Sequence, residues 1–491
     1  MLTVHLRIND STIGKPTPVR LRISGPDGTT YAPLGRSAEF PTGRNEAVGG
    51  HLKVGGERWC YIDGSCEVSL PAGIPLRVQA TKGPEYKPLD EMVTLGAGQM
   101  ALRFSIVRVF NTRGADYHPG DTRCHFIAPH AGLLEAMAED VNVANALATP
   151  FSMLALDGNT YTTLPDLLAF SGQQPALTAE PSYSFAVNTL NTHPVLGKVG
   201  LLHSHRAVFP LSFGSPEGTD DWSICDWCDQ CHRKGGLTVW VDAFEPAGEL
   251  IGGEALIAAI LGKIDAIEID PGPRTRPLVP WLYRLWDMGI MVPLVGASGK
   301  DSNRTPLGAM RTYAHVPGEF SPQGWIEAIR GGRTFVTSAP LVEFQVDGHR
   351  PGEIVDASSE MMFAAKAESL GPFERLEIIA NGETIASTPP KFIQDPGNWS
   401  AELQQAFTPA GSCWVAVRCI GKAGFAHTSP IMVRVHNQPS PSQAEAATAL
   451  RKLVEQTREW GECHACYTNA KRREQLLARC DEALGKLGAN I

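Results

Sequence analysis

Leu237-Thr-Val-Trp-Val-Asp242, then Glu254-Ala-Leu-Ile-Ala-Ala-Ile-Leu261-Gly262, then Asp265-Ala-Ile-Glu-Ile-Asp270 is the stretch that decides the fold. The first run is apolar on both faces and β-prone, which reads as a strand buried on both sides. The second is a continuous helix-former run stopped by glycine, and the third repeats the strand pattern. Strand, helix and strand in close succession form the repeating unit of an α/β layer. Working outward, Trp281 to Met288 reads as a helix and Ile290-Met-Val-Pro-Leu-Val-Gly296 as a further strand. Ala131 to Glu139 and Gly324 to Arg330, the latter ended by Gly331-Gly332, are helices near the two ends of the region. Residues 114–338 are therefore expected to be one α/β domain.

The flanks have a different period. Leu2, Val4, Leu6 and Ile8, then Val19, Leu21 and Ile23, then Leu76, Val78 and Ala80 alternate at period two between turn clusters such as Gly25-Pro26-Asp27-Gly28, which predicts an N-terminal β-sandwich over 1–113. Alternation returns after Pro340 in Phe344-Gln-Val, Leu376-Glu-Ile-Ile and Trp414-Val-Ala-Val, giving a second sandwich over 339–436. A Pro- and Ser-rich linker, His436 to Ser442, leads into apolar stripes at Leu450, Leu453, Val454, Thr457 and Trp460 and at Leu476, Leu477, Cys480, Leu484 and Leu487. Those spacings predict two amphipathic helices in a tail, 437–491.

Composition sets the outer bounds. At 491 residues the chain exceeds what one core supports, and 49 Gly with 37 Pro favour many turns over an all-helical fold. A net charge of −9 with no basic run longer than Lys471-Arg472-Arg473 argues against nucleic acid as a partner. No apolar stretch approaches the roughly 18 residues of a membrane span, and the first residues alternate like a strand instead of forming a leader. Eleven cysteines, an odd number spread along the whole chain, read as reduced thiols, and the expected compartment is the cytoplasm.

Reactive groups in βα architectures gather where strands end, because the loops there converge on one face. The candidate strand ends of the middle domain are polar. Asp121, Arg123, His125 and His130 follow one, His203, His205 and Arg206 another, Asp242 and Asp270 two more, and Lys300, Asp301 and Asn303 the last. Imidazole and carboxylate converging from several strands are the donor types for zinc or manganese, and a bound ion would make water nucleophilic near neutral pH.

Several of these segments carry a family likeness. Gly120-Asp-Thr-Arg-Cys-His, Ala138-Glu-Asp-Val-Asn-Val, Leu201 to Phe213, Trp227-Cys-Asp-Gln-Cys-His-Arg-Lys-Gly-Gly-Leu, Gly296-Ala-Ser-Gly-Lys-Asp-Ser-Asn and Gly332-Arg-Thr-Phe-Val-Thr-Ser-Ala-Pro resemble the carbaryl-hydrolase-like (CehA/McbA) branch of the PHP, or polymerase and histidinol phosphatase, superfamily. The resemblance implies a distorted βα barrel that holds one to three divalent ions and hydrolyses an ester, carbamate or phosphoester. The departures are specific. Arg123 stands where the family's first His-x-His motif begins, leaving His125. Leu147-Ala-Thr replaces a Thr-Asp-His, Asp242 replaces a strand-end His, and Asn303 replaces the His of a Ser-Asp-x-His. A fixed guanidinium at position 123 repels a second cation, so one ion or none is expected.

The assignment that follows is metal-assisted hydrolysis of a small-molecule ester, carbamate or amide. Its ligands are His125, His205, Asp242 and Asp301, with zinc as the first choice of metal and manganese the second. His130 would move the proton, and Arg123 and Lys300 would stabilise oxyanion charge or clamp an anionic substrate. The alternative is a catalytically degenerate PHP-like barrel acting as a ligand-binding or scaffolding module. A carbohydrate-processing or carbohydrate-binding protein is a third reading, by analogy of fold alone.

Cys225, Cys228, Cys231 and His232 spell a string that also occurs at haem attachment and metal sites. Their i, i+3, i+6 spacing on a helix instead fits small apolar packing groups. Cys463-His-Ala-Cys466, with Cys480 nearby in the second tail helix, is a second thiol cluster. It lacks an obvious fourth donor, so ordinary thiols are the expectation there too.

Overall fold

The computed structural model describes residues 1–35, 48–154, 160–163, 166–214, 218–248, 250–270, 275–357, 360–421, 424–436 and 438–489. The chain is mixed α/β, with seven α-helices among the described residues and more residues in strands than in helices. The N-terminal lobe is two facing sheets. Leu2–Asp10 pairs with Ser65–Leu70 and Ala101–Arg108, and Val19–Ser24 pairs with Glu57–Ile62 and Pro75–Thr81. The alternate residues read from the sequence, Val4, Leu6, Ile8, Val19, Leu21, Ile23, Leu76, Val78 and Ala80, form its buried core.

The middle is a curled sheet in the order Leu294–Gly296, Ala266–Ile269, Leu237–Val241, Gly197–Leu202, Tyr183–His193, Val143–Ala148, Tyr117–Cys124, Arg311–His315, Thr334–Thr337. The helices α1 (Pro129–Ala138), α2 (Ile224–Arg233), α3 (Gly253–Ile260), α4 (Thr275–Asp287) and α5 (Pro322–Arg330) connect these strands. Ser223 caps α2 by accepting from the Asp226 N–H, and Ser321 caps α5 by accepting from the Gly324 N–H. The Leu294–Gly296 edge is tied back to the Tyr117–Cys124 strand by short links. Gly299 N donates to Arg123 O (3.1 Å), His125 N to Lys300 O (2.6 Å), and Thr122 Oγ1 to Gly296 O (3.1 Å). A side chain at position 296 would put its Cβ 2.6 Å from the Arg311 carbonyl oxygen, so only glycine permits this approach.

Strand direction matters for the site. Gly197–Leu202 runs antiparallel to both neighbours, with Lys198 opposite Val241 and Leu202 opposite Leu237. The Tyr117–Cys124, Leu237–Val241, Ala266–Ile269 and Leu294–Gly296 strands share one direction through their parallel and doubly antiparallel pairings.

The middle sheet does not stop at its last strand. Thr334–Thr337 pairs with Ala426–Thr428, which continues into Cys413–Ile420, Arg375–Ala380 and Glu383–Thr388. A second sheet, built on Met361–Ser369 paired with Leu341–Val346 and Asn398–Phe407, faces it to form the C-terminal lobe. Of the linker, Asn437 lies outside the described residues. The tail helices α6 (Gln443–Cys463) and α7 (Ala470–Ala489) bury Leu450, Leu453, Val454, Leu476, Cys480 and Leu487 in the core shared with α2, α3 and α4. Among the described residues no helix is long and apolar enough to cross a membrane.

Candidate functional site

Asp242, Glu268, Asp270 and Asp301 stand at or near the C-terminal ends of the co-directional strands, as Arg123 and His125 do. On Ala266–Ile269, Ile267 and Ile269 pack into the helix layer while Ala266 joins the cluster inside the curl. Period-two alternation therefore turns Glu268 inward with Ala266. Arg123 meets it there. Its Nε donates to Glu268 Oε1 (2.8 Å), its Nη2 lies 2.7 Å from the same oxygen, and Asp270 is 4.0 Å away. Both partners are buried, and Glu268 Oε2 has no hydrogen-bond partner. Burial pushes the Glu268 carboxyl up to about 7, against the pull of Arg123 and with the help of Asp242 and Asp270.

Next to this pair is a cavity of about 330 Å³ lined by Asp242, Phe244, Glu268, Asp270, Leu278 and Trp281, among others. Phe244 stacks on Trp281 with ring centres 5.7 Å apart and planes 14° from parallel. The turn that carries this wall is strained, since Asp242 has φ +49° and Phe244 φ +58°. Left-handed backbone is tolerated by Asp but costly for a bulky aromatic residue, and such strain concentrates at functional sites.

His125 is buried, and its Nδ1 lies 2.9 Å from Leu147 O, so Nδ1–H donates and Nε2 keeps a lone pair. Burial first and Arg123 second depress its pKa to about 4, while Asp301 and Asp242 oppose them. The imidazole is neutral at physiological pH.

The other candidates fall elsewhere or are engaged. His205 is exposed and follows the antiparallel strand, so it lies at the sheet end opposite His125, Asp242 and Asp301; its backbone N–H reaches Lys234 O. It does not join their donor set. Lys300 is fully buried, and its ammonium donates to Ser302 O and Thr305 O (both 3.0 Å) and sits 3.4 Å from Glu135 Oε2. It holds a loop to α1 instead of presenting a cation to a substrate. Asp242 Oδ2 takes the Lys198 ammonium at 2.6 Å. His130 is exposed in the first turn of α1, and Asp301 is exposed at the same rim. Arg123 takes Glu268 as its partner. Asp121 is instead an anchor, accepting N–H groups of Arg123 (3.1 Å), Ser298 (3.0 Å) and Gly308 (2.8 Å).

Among the described residues no three His, Cys, Asp or Glu side chains are grouped so as to hold a metal ion. The reasons are local: His205 is at the far end, Lys198 sits on Asp242, and a guanidinium lies between Glu268 and Asp270. The arrangement does not fit the ion that the family resemblance implies. The thiols of Cys225, Cys228 and Cys231 are buried in the core beside Trp227 and α3, and burial raises all three pKa values.

Glu268, Phe244 and Trp281 were not singled out from sequence. Glu268 had a signal, being the one charged residue inside the apolar run Ala266-Ile-Glu-Ile269.

Comparison with family models and with characterised proteins yields no match. Among solved structures, a lytic polysaccharide monooxygenase from Jonesia denitrificans aligns at 15% identity over 26% of this chain and 79% of that one, with a TM-score of 0.14. That similarity is too slight to inform fold or function.

Proposed function

We propose that this chain is a catalytically degenerate PHP-like barrel that binds a small molecule in the Asp242–Glu268–Asp270 cavity. One observation carries the reading: the Arg123–Glu268 ion pair occupies the strand ends where the resembling family assembles its ions. A permanent cation there supplies the charge that a metal would otherwise supply to the same carboxylates. The cavity beside it is of ligand size, largely apolar, and sits at the C-terminal strand ends where ligands of α/β sheets bind.

The opposing reading is a hydrolase of esters, carbamates or amides that keeps one ion. It draws on the neutral His125 and its available Nε2. Metal analysis of protein expressed with zinc and manganese, together with an aryl-ester panel, separates the two. Substoichiometric metal, and turnover no higher than in Asp301→Ala, is the expected result. A full equivalent of metal in the parent, lost together with turnover in Asp301→Ala, would overturn the proposal.

A further inference from the structure

We infer that a second cavity, on the C-terminal lobe, is a site for a neutral saccharide unit. It shares no lining residue with the Asp242–Glu268–Asp270 cavity and does not depend on the reading given to that one. It forms where residues 109–117, leading out of the N-terminal lobe, meet the sheet built on Met361–Ser369. Its volume of about 370 Å³ falls within the ~300–1,000 Å³ of small-molecule sites. The polar wall follows from period two. Phe344, Phe363, Ala365, Ala367 and Ala401 turn into the core of the lobe, so Glu343, Lys366, Glu368, Ser400 and Glu402 share the opposite face. Register then sets them side by side: Lys366 stands opposite both Glu343 and Glu402, and Glu368 opposite Ser400.

Asn398 supplies the observation that points to a ligand. It continues the row of Ser400 and Glu402 at the start of their strand, lines the cavity, is 3% exposed, and its Oδ1 has no hydrogen-bond partner. The amide is held this way round because its Nδ2 donates to Glu368 Oε1 (3.5 Å); turned over, it would set a carbonyl oxygen against a carboxylate. Oδ1 is therefore a buried acceptor that a donor on the ligand satisfies, and a carboxylate or phosphate brings none. A cation would compete with Lys366, whose ammonium lies 2.9 Å from Glu368 Oε2. A hydroxyl meets neither obstacle, since it donates to Asn398 Oδ1 or to a carboxylate and accepts from Lys366. Tyr117 and Phe335, with ring centres 5.5 Å apart, line the cavity as well and offer apolar surface to the C–H face of a sugar ring.

Isothermal titration calorimetry on the full chain tests this with glucose, galactose, mannose, xylose, N-acetylglucosamine, maltose and cellobiose as neutral probes and with glucuronate and glucosamine as charged controls. At least one neutral sugar should bind. Asn398→Leu, which removes the orphan acceptor at similar volume, should weaken that sugar about tenfold, the worth of one buried hydrogen bond. If Asn398→Leu does not fold, Lys366→Met, at a side chain 37% exposed, takes its place with the same expectation. Absence of binding by every neutral sugar, binding that the substitution leaves unchanged, or binding of glucuronate or glucosamine alone overturns the inference. Each of those results leaves the reading of the Asp242–Glu268–Asp270 cavity standing.

Discussion

Replacing Arg123 with Leu removes the cation from a pair whose side chains are only 11% and 2% exposed. Glu268 would then be buried with neither oxygen bonded to Arg123, and Asp242 and Asp270 would both oppose its charge. Breaking a buried pair in this way costs about 3–5 kcal/mol when the orphan stays charged. Glu268 has an escape, because its carboxyl is already up at about 7 with Arg123 in place. Without Arg123 it rises further and takes a proton at neutral pH. The loss in Arg123→Leu should therefore be about 3 kcal/mol at pH 8.5 and fall toward the ~1 kcal/mol of lost packing and hydrogen bonding at pH 5.5. Urea denaturation followed by tryptophan fluorescence at both pH values measures this. Adding Glu268→Gln to the variant should restore most of the stability at pH 8.5. A loss below about 1 kcal/mol at pH 8.5, or one independent of pH, would refute the reading of Arg123 as the charge partner that keeps Glu268 ionised in its buried place.

His427 offers a second pH test. It is buried, hydrogen-bonded to Tyr283 Oη (2.8 Å) and Thr428 O (2.7 Å), and desolvation lowers its pKa to about 4. The unfolded chain binds this proton first, so the stabilisation is complete above about 6.5 and lost as pH falls through about 4, amounting to ~3 kcal/mol. Glu135 and Glu268, raised to about 7, contribute in the opposite sense across about 4.5–7. The difference between parent and His427→Gln in denaturation midpoint isolates the histidine and should shrink as pH drops from 7 to 4. Asp121→Ala strips the acceptor from three N–H groups and should cost about 3 kcal/mol or more, with limited proteolysis opening the segment from Ser298 to Gly308. Replacing Cys225, Cys228 and Cys231 together with Ala should leave metal content unchanged while lowering thermal stability, because each leaves a cavity in a packed core.

Periodicity carried most of the fold. Continuous apolar runs such as Leu237–Val241 and alternating runs such as Leu2–Asp10 became strands, and the two stripes after Ser442 became α6 and α7. α1 and α5 begin two residues before the expected starts, since Pro129 and Pro322 occupy first helical positions that an apolar count passes over, and α4 begins at Thr275, running through Pro280, which reads in sequence as a helix boundary. The site was less legible, for two physical reasons. Hydrophobic pattern says nothing about the direction of a strand, so the end of Gly197–Leu202 looked like any other and His205 was grouped with residues at the opposite end. Charge partners are also set by which strands become neighbours in the curl. Glu268, the acceptor that Arg123 takes, lies 145 residues away in sequence, and nothing local to Arg123 announces it.

Hydrogen bonding between Thr334–Thr337 and Ala426–Thr428 has a practical meaning for anyone dividing this molecule. Ser429 Oγ accepts the Leu294 N–H (2.9 Å), so the C-terminal lobe reaches back to a strand on the curl's other edge. A fragment ended at residue 338, where the sequence changes period, would expose an unpaired edge and orphan a buried amide, a recipe for insolubility. Expression boundaries on that side belong after the tail helices, and a poorly behaved fragment ending earlier would report a severed sheet and nothing about the pocket.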